Sequence, residues 1–185
     1  MRIASLAFEI LPLVALFIGN SIYNIFVGAA ASVGFAAVIL IFTWLNEKRL
    51  ARFVIFSVLI SLVLTVAAFW AENSVFIKIQ PSLFNGLMAF VLLLGWFRGV
   101  PVMRLFFGSQ FHLTDSVWMT LSKRWCLFFI FLVLANELAW RNLGDDEWVT
   151  FKVFFIAPTT GIFMLSQLPL TIRGRIEGDK SEDET

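Results

Sequence analysis

The sequence is poor in charge, in cysteine and in histidine, and each shortage excludes a class of protein. Only 15% of its 185 residues are Asp, Glu, Lys or Arg, against about 25% in a soluble domain, which excludes an ordinary soluble globule. A net charge of +1 leaves no basic surface for nucleic acid. The single cysteine, Cys126, excludes an intramolecular disulfide, and the single histidine, His112, cannot build a multi-ligand metal site alone. We therefore expect no nucleic-acid partner, no metal and no cofactor.

Long apolar runs fill most of the chain instead. Hydrophobic residues make up 59% of the sequence, and five membrane spans of about 20 residues each would use roughly 100 positions. Lipid cannot satisfy backbone N–H and C=O groups, so such runs form helices. We predict an all-α, polytopic transmembrane helical bundle whose five spans are the apolar runs at 22–45, 53–70, 75–97, 118–140 and 149–170.

The first apolar segment, residues 3–18, is shorter and contains Glu9 and Pro12. It could cross the bilayer at a tilt, which would put the N-terminus in the cytoplasm, or it could form a re-entrant or interfacial helix. A charge at the bilayer centre costs roughly 2.5–3.5 kcal/mol on insertion scales, so Glu9 should lie near an interface or against protein. We favour a short N-terminal membrane-embedded or interfacial helix beside five true spans.

Basic residues lie in alternate connections between the runs. They follow the 22–45 run, fill the 98–124 connection and follow the 149–170 run, whereas the 141–148 connection is rich in acid. The positive-inside rule assigns the basic connections and the C-terminus to the cytoplasm. We predict one integral membrane domain over 1–176 and a disordered, acidic cytoplasmic tail over 177–185.

Two local features interrupt the spans or their connections. Residues 101–108 combine apolar side chains with one cation, Arg104, which predicts a short helix in the headgroup layer. Pro158 lies in the middle of the last run and should kink that helix, because it removes a backbone hydrogen bond. In a transporter, a helix broken at this depth can form a substrate site.

The seven tryptophans lie at or near the ends of the runs, a position typical of headgroup anchors. Trp148 is predicted to be such an anchor. Lys152, one turn deeper, should direct its ammonium toward the headgroups or toward Glu147, and Lys78 should reach the interface in the same way. A second interpretation is that Lys152 contacts a partner or an anionic headgroup.

Six positions are candidates for a role beyond lipid contact. Glu9, Asn136 and Lys152 are the candidate functional polar positions, because ionisable and amide side chains are rare in spans. Gly28, Ser32 and Gly34 are the candidate helix-packing positions, because small residues let helices approach closely. Packing within the chain and contact with another membrane protein both stay open for them. No catalytic motif is present, so we expect no enzyme and no catalytic residue.

The chain resembles the bacterial intracellular septation protein A family. The resemblance rests on Phe-Glu-Ile-Leu-Pro-Leu at 8–13, Phe-Ile-Lys at 76–78, the segment 101–108, Ser-Val-Trp at 116–118 and Trp-Val-Thr-Phe-Lys-Val-Phe at 148–154. Single matching positions are Ile22, Tyr23, Leu121, Trp125, Phe128, Phe129 and Asn136. Ser122 stands where the resemblance leads us to expect Asn.

The resemblance implies a non-enzymatic protein of the bacterial inner membrane with a role in envelope biogenesis and integrity, membrane homeostasis and septation. It implies membrane proteins of the elongation and division machinery as partners, beside the lipid bilayer itself, with a second copy of the chain as a further candidate. The alternative function is a small membrane transporter or lipid-handling protein that uses Glu9, Asn136 and the Pro158 kink.

Overall fold

A computed structural model describes residues 3–47, 52–108 and 111–176, without the side chains of 3–9, 46–47, 52–54 and 56. Within these ranges the regular structure is helical, and the one β contact is an isolated bridge between Leu113 and Arg175. The helices are α1 Ile3–Ile22, α2 Ile25–Glu47, α3 Arg52–Ala71, α4 Val75–Lys78, α5 Gln80–Phe97, α6 Met103–Phe107, α7 Asp115–Asn142, α8 Asp145–Phe151 and α9 Ala157–Arg173, with a π-helical turn over Lys152–Ile156. The predicted all-α membrane bundle is confirmed.

Four helical stretches of the described chain are long and apolar enough to cross a membrane: Ile25–Leu45, Val75–Phe97, Asp115–Asn142 and Asp145–Arg173. They correspond to four of the five predicted runs. The remaining run lies in α3, whose described apolar part, Ser57–Ala71, is shorter, so a total of five spans stays a prediction.

The N-terminal segment forms one continuous 20-residue helix, α1, that passes through Pro12 without a break. Its apolar part, Ile10–Ile22, is shorter than a full span, so whether it crosses the bilayer stays open. The predicted start of the next run at Ile22 was wrong, because Ile22 ends α1 and α2 begins at Ile25. The side chain of Asn24 causes the break, since its Oδ1 accepts a hydrogen bond of 3.0 Å from the Val27 N–H at the start of α2.

The described chain divides into two compact units, which we call unit one (Met1–Phe84 and Leu134–Pro158) and unit two (Asn85–Val133 and Thr159–Thr185). Each has its own apolar core. The buried residues of the first core are Leu16, Ile25, Ala29, Ala68, Ile77, Ala139, Trp148 and Val149. Those of the second are Leu92, Val102, Met103, Leu113, Trp118, Leu121 and Cys126. The single domain over 1–176 stays a prediction, and the predicted tail over 177–185 lies outside the described residues.

In unit two, the turn after α5 depends on a glycine in the left-handed region. Gly99 has φ +67°, and the Val100 N–H donates to the Gly95 carbonyl at 2.8 Å, which is a Schellman-type helix end. The chain then enters α6, the short helix predicted for residues 101–108. The Met103 N–H donates to the Ser122 Oγ at 3.1 Å, so the hydroxyl of Ser122 fixes the start of α6 on α7 in place of the expected amide.

The last helical stretch is interrupted by the π-helical turn. The Ala157 N–H donates to the Lys152 carbonyl, five residues back, and Pro158 follows as the second residue of α9. Proline lacks the N–H that an α-helix needs there, and its ring would crowd the carbonyl four residues earlier. The wider π turn relieves that conflict. The interruption predicted at Pro158 is therefore present as a π turn that begins at Lys152.

Candidate functional site

A polar network in unit one joins four helices at the end where α8 begins. The buried Lys78, at the end of α4, places its Nζ 2.7 Å from Asp145 Oδ1 at the start of α8. The Ser74 hydroxyl donates to the same carboxylate oxygen at 2.9 Å. Three acidic residues lie in the first turn of α8, where the helix dipole favours negative charge. The carboxylate of Asp145 thus interacts favourably with the helix dipole and also neutralises the buried ammonium of Lys78.

Asn136 of α7 extends this network inward. Its Nδ2 donates to the Lys78 carbonyl at 2.9 Å and to the Ser82 Oγ at 2.8 Å. Its Oδ1 accepts a bond of 3.0 Å from the Trp148 indole N–H. The amide nitrogen and the carbonyl oxygen of Asn136 are therefore both used, and their three bonds hold α4, α5, α7 and α8 together. Asn136 was a predicted functional position, and its geometry is that of a structural crosslink.

One prediction for this region was wrong, and a second is untested. Trp148 was predicted to anchor in the headgroups, but its side chain is fully buried, because Asn136 supplies the polar partner that an indole otherwise finds at the interface. Trp118 is buried in the same way, whereas Trp70 is 91% exposed, as an anchor would be. Lys78 was predicted to reach the interface. Its ammonium is paired with Asp145, a 38%-exposed carboxylate of the acidic 141–148 connection, and its position in the headgroup layer stays a prediction.

A polar cavity of about 190 Å³ lies beside the network, also within unit one. Its hydroxyls come from one face of α3, at Ser57, Ser61 and Thr65, and from Ser32 of α2. Residues four apart in a helix lie above one another, so the three α3 side chains form a column. The Gln80 Nε2 donates to the Ser61 Oγ. Thr65 is 5% exposed, and its Oγ1 has no hydrogen-bond partner among the described residues.

Lys152 also lines the cavity, and it is the one charged residue among the described residues of the lining. It lies seven residues into the last helical stretch, which is about 10 Å of helix from Asp145. Its Nζ is 5.1 Å from the centroid of the Trp148 ring, within range of a cation–π interaction. The π turn begins at this residue, and π turns often occur at functional sites.

The ammonium of Lys152 was predicted to reach the headgroups or Glu147. The headgroup alternative stays a prediction, and Glu147 is not its partner. Glu147 Oε2 instead accepts a hydrogen bond of 3.0 Å from the Gly144 N–H, which closes the start of α8. Among the described side chains, no carboxylate lies within ion-pair distance of Lys152. The predicted candidate Glu9 lies outside the described side chains.

The three small-residue candidates have three different environments. At Gly28, a Cβ would lie 2.5 Å from the Leu16 carbonyl oxygen and 2.8 Å from the Asn20 nitrogen, so this position is required for the close packing of α1 on α2. Ser32 lines the cavity. Gly34 is exposed, and a Cβ there would meet nothing within 4 Å.

Sequence reasoning missed Asp145, Ser74 and Thr65 as members of these sites. Asp145 lies in a connection that was interpreted only as acidic, and no local pattern links it to Lys78, which lies 67 positions away. The spacing of the α3 hydroxyls was a usable signal, since positions 57, 61 and 65 share one helix face. In the described part of the chain, no group of three or more His, Cys, Asp and Glu side chains could hold a metal ion.

Comparisons with known proteins give one consistent result. The family described as "IspA: Intracellular septation protein A" matches residues 4–177. A relative from Brucella anthropi, named "Inner membrane-spanning protein YciB", is 38% identical over 146 residues, which cover 79% of this chain and 66% of the relative. A protein of the same name from Mesorhizobium japonicum is 36% identical over 86% of this chain and 71% of its own length. Another from Agrobacterium fabrum is 36% identical over 73% of this chain and 66% of its own length. The chain thus spans about two thirds of the length of these relatives. No solved structure matches.

Proposed function

Because the chain belongs to the intracellular septation protein A family, we propose that this multi-pass inner-membrane protein supports envelope biogenesis, envelope integrity, membrane homeostasis and septation. It does so without catalysis, through contacts with membrane proteins of the elongation and division machinery. The family's description supports the link to septation. The polar network supports a non-enzymatic role, because Lys78, Asp145 and Asn136 are engaged with one another or with neighbouring groups.

The observation that carries the proposed contact is an exposed face of α2. Ala30, Gly34 and Val38, each four residues apart, are all exposed. Small residues at such a spacing let a partner helix approach closely in lipid. The neighbouring Gly28 is already used by α1, so α2 has one small-residue face occupied within the chain and another one open. The occupant of the open face is a partner span or a second copy of the chain.

Two observations support a cytoplasmic C-terminus. The end of α9 joins the basic 98–114 connection, since the Thr114 N–H donates to the Gly174 carbonyl at 3.2 Å and the Ile176 N–H to the His112 carbonyl at 3.0 Å. Basic residues therefore gather at the same end of unit two, and the positive-inside rule assigns that end to the cytoplasm.

The polar cavity favours a second candidate function, a small transporter or lipid-handling protein. A wet cavity with a charged residue inside a span is the usual form of an intramembrane binding site. We place this candidate second, because one cavity with one charged residue does not supply the paired broken helices of known transporter folds.

Complementation of a deletion strain of the native host tests the proposed contact. Gly34→Leu should reach the membrane at the normal level, because the position is exposed and an added Cβ meets no described atom within 4 Å. It should lose most envelope rescue and most in-membrane crosslinks to division proteins. Gly161→Leu is the matched control, since Gly161 is also an exposed helical glycine with nothing within 4 Å of a Cβ. Full rescue and unchanged crosslinking by Gly34→Leu would exclude this face.

A further inference from the structure

The cavity of unit one contains a cation whose partner the described structure does not supply. Lys152 and Lys78 are both cations of unit one. Lys78 is paired at 2.7 Å with Asp145, whereas the described side chains give Lys152 the ring face of Trp148 and no carboxylate. A cation inside the hydrocarbon layer is unfavourable unless an anion or water accompanies it. The ring face of Trp148 offsets only part of that cost.

The cavity also offers hydroxyl donors beside the cation. Thr65 Oγ1 is buried and without a hydrogen-bond partner in the described chain, and an unmade hydrogen bond at such a group is costly. Ser32 lines the same space. These groups need a ligand with several acceptor oxygens, and the ammonium of Lys152 needs one with negative charge. A phosphate group has both properties.

The size of the cavity fits that ligand. A volume of 190 Å³ is many times the roughly 10–15 Å³ that a single water molecule requires, which leaves room for a phosphate group together with a few waters. The walls between the polar groups are apolar, at Leu16, Val33, Val58 and Ile77, as expected for a site that also meets glycerol or acyl carbons.

We propose that the unit-one cavity binds a phosphate group, with Lys152 as its counterion and Thr65 and Ser32 as hydroxyl donors. The phosphate comes from the headgroup of a membrane phospholipid or from free phosphate. This proposal rests on the second candidate function and names its ligand. The first candidate function is tested separately, because envelope rescue in cells does not depend on phosphate binding.

Native mass spectrometry of the full chain in a phosphate-free detergent tests the proposal. The probes are a short-chain phosphatidylglycerol, a diacylglycerol of the same chain length and inorganic phosphate. We expect phosphatidylglycerol to bind more tightly than diacylglycerol. Lys152→Gln should weaken it about tenfold through the loss of a charge-assisted bond, and Thr65→Val about threefold through the loss of a neutral one.

Two further variants control for charge and for folding. Lys123 also lies over an indole ring, with its Nζ 5.2 Å from the Trp96 centroid, but it does not line the cavity. Lys123→Gln should therefore bind phosphatidylglycerol like the wild type. Lys152→Arg keeps the charge and should keep most of the affinity.

The outcomes separate the two sources of phosphate. Competition by inorganic phosphate at millimolar concentration assigns the site to free phosphate, and its failure to compete assigns the site to the lipid headgroup. Equal binding of diacylglycerol, or equal losses in Lys152→Gln and Lys123→Gln, would overturn the proposal. Loss of binding in Lys152→Gln with full envelope rescue would leave both the phosphate site and the first proposed function standing.

Discussion

At the scale of single residues, Asn136 holds more of unit one together than any other amide described. Asn136→Leu should destabilise the protein by about 1–3 kcal/mol, because the fully buried Trp148 indole N–H is left without its partner. The free energy of unfolding in mixed micelles measures this. Asn142→Ala is the control, since Asn142 is exposed and bonds only to its own helix. Similar unfolding free energies for the two variants would show that the crosslink is dispensable.

The ion pair between Lys78 and Asp145 gives a second prediction at this scale. Asp145→Leu should cost roughly 1–3 kcal/mol, less than for a fully buried pair because the Asp145 side chain is 38% exposed. The double variant Lys78→Met with Asp145→Leu should recover part of that loss, since no unpaired buried cation remains. A double-mutant cycle measures the coupling.

The exposed pair Glu137–Arg141, at 2.9 Å on one helix face, is the comparison. Its coupling should be below about 0.5 kcal/mol. A coupling for Lys78 and Asp145 no larger than this would mean that burial adds nothing to their interaction.

At the scale of helices, the crossing of α1 and α2 depends on glycine. Gly28→Ala should destabilise the protein by about 1–3 kcal/mol, because the new methyl group would overlap the backbone of α1 at Leu16 and Asn20. Gly34→Ala, six residues further along the same helix, should leave stability unchanged or raise it slightly, since alanine is the better helix former and nothing obstructs it. Thermal unfolding of both variants in the same detergent checks the contrast, and equal midpoints would contradict it.

Helices are also the level at which sequence was most informative. The apolar runs placed the long helical stretches within a few residues, because hydropathy alone determines what can lie in lipid. The error lies where a short-range polar group competes. Asn24 ends the apolar run of α1 by capping α2.

The candidate site was less predictable, for a physical reason. Taken alone, a tryptophan or a lysine at the end of a span is expected in the headgroup layer. Only a long-range partner shows that such a side chain is instead held by the protein. Trp148 meets Asn136 twelve positions away and Lys78 meets Asp145 sixty-seven positions away. A single sequence carries no record of those pairings, whereas the polar composition of the spans already indicated that Asn136 and Lys152 are unusual.

At the scale of the whole molecule, topology gives the sharpest test. We expect Asp146→Cys to react with a membrane-impermeant thiol reagent in intact spheroplasts and Arg104→Cys to react only after the membrane is opened, since the acidic connection should face the periplasm and the basic one the cytoplasm. The native background is low, because Cys126 is fully buried. The reverse labelling pattern would show that the protein is inserted in the opposite orientation.

The separation of Lys78 and Asp145 along the chain also sets an order in time. The two residues are 67 positions apart, and a bacterial ribosome adds about 5–20 residues per second. The cation is therefore synthesised roughly 3–13 seconds before its counterion. During that interval the helix that carries Lys78 must be held in the membrane by its apolar length, with the ammonium resting near the headgroups. Formation of the ion pair is thus one of the last steps in the folding of the protein, and it can begin only after the start of α8 has been synthesised.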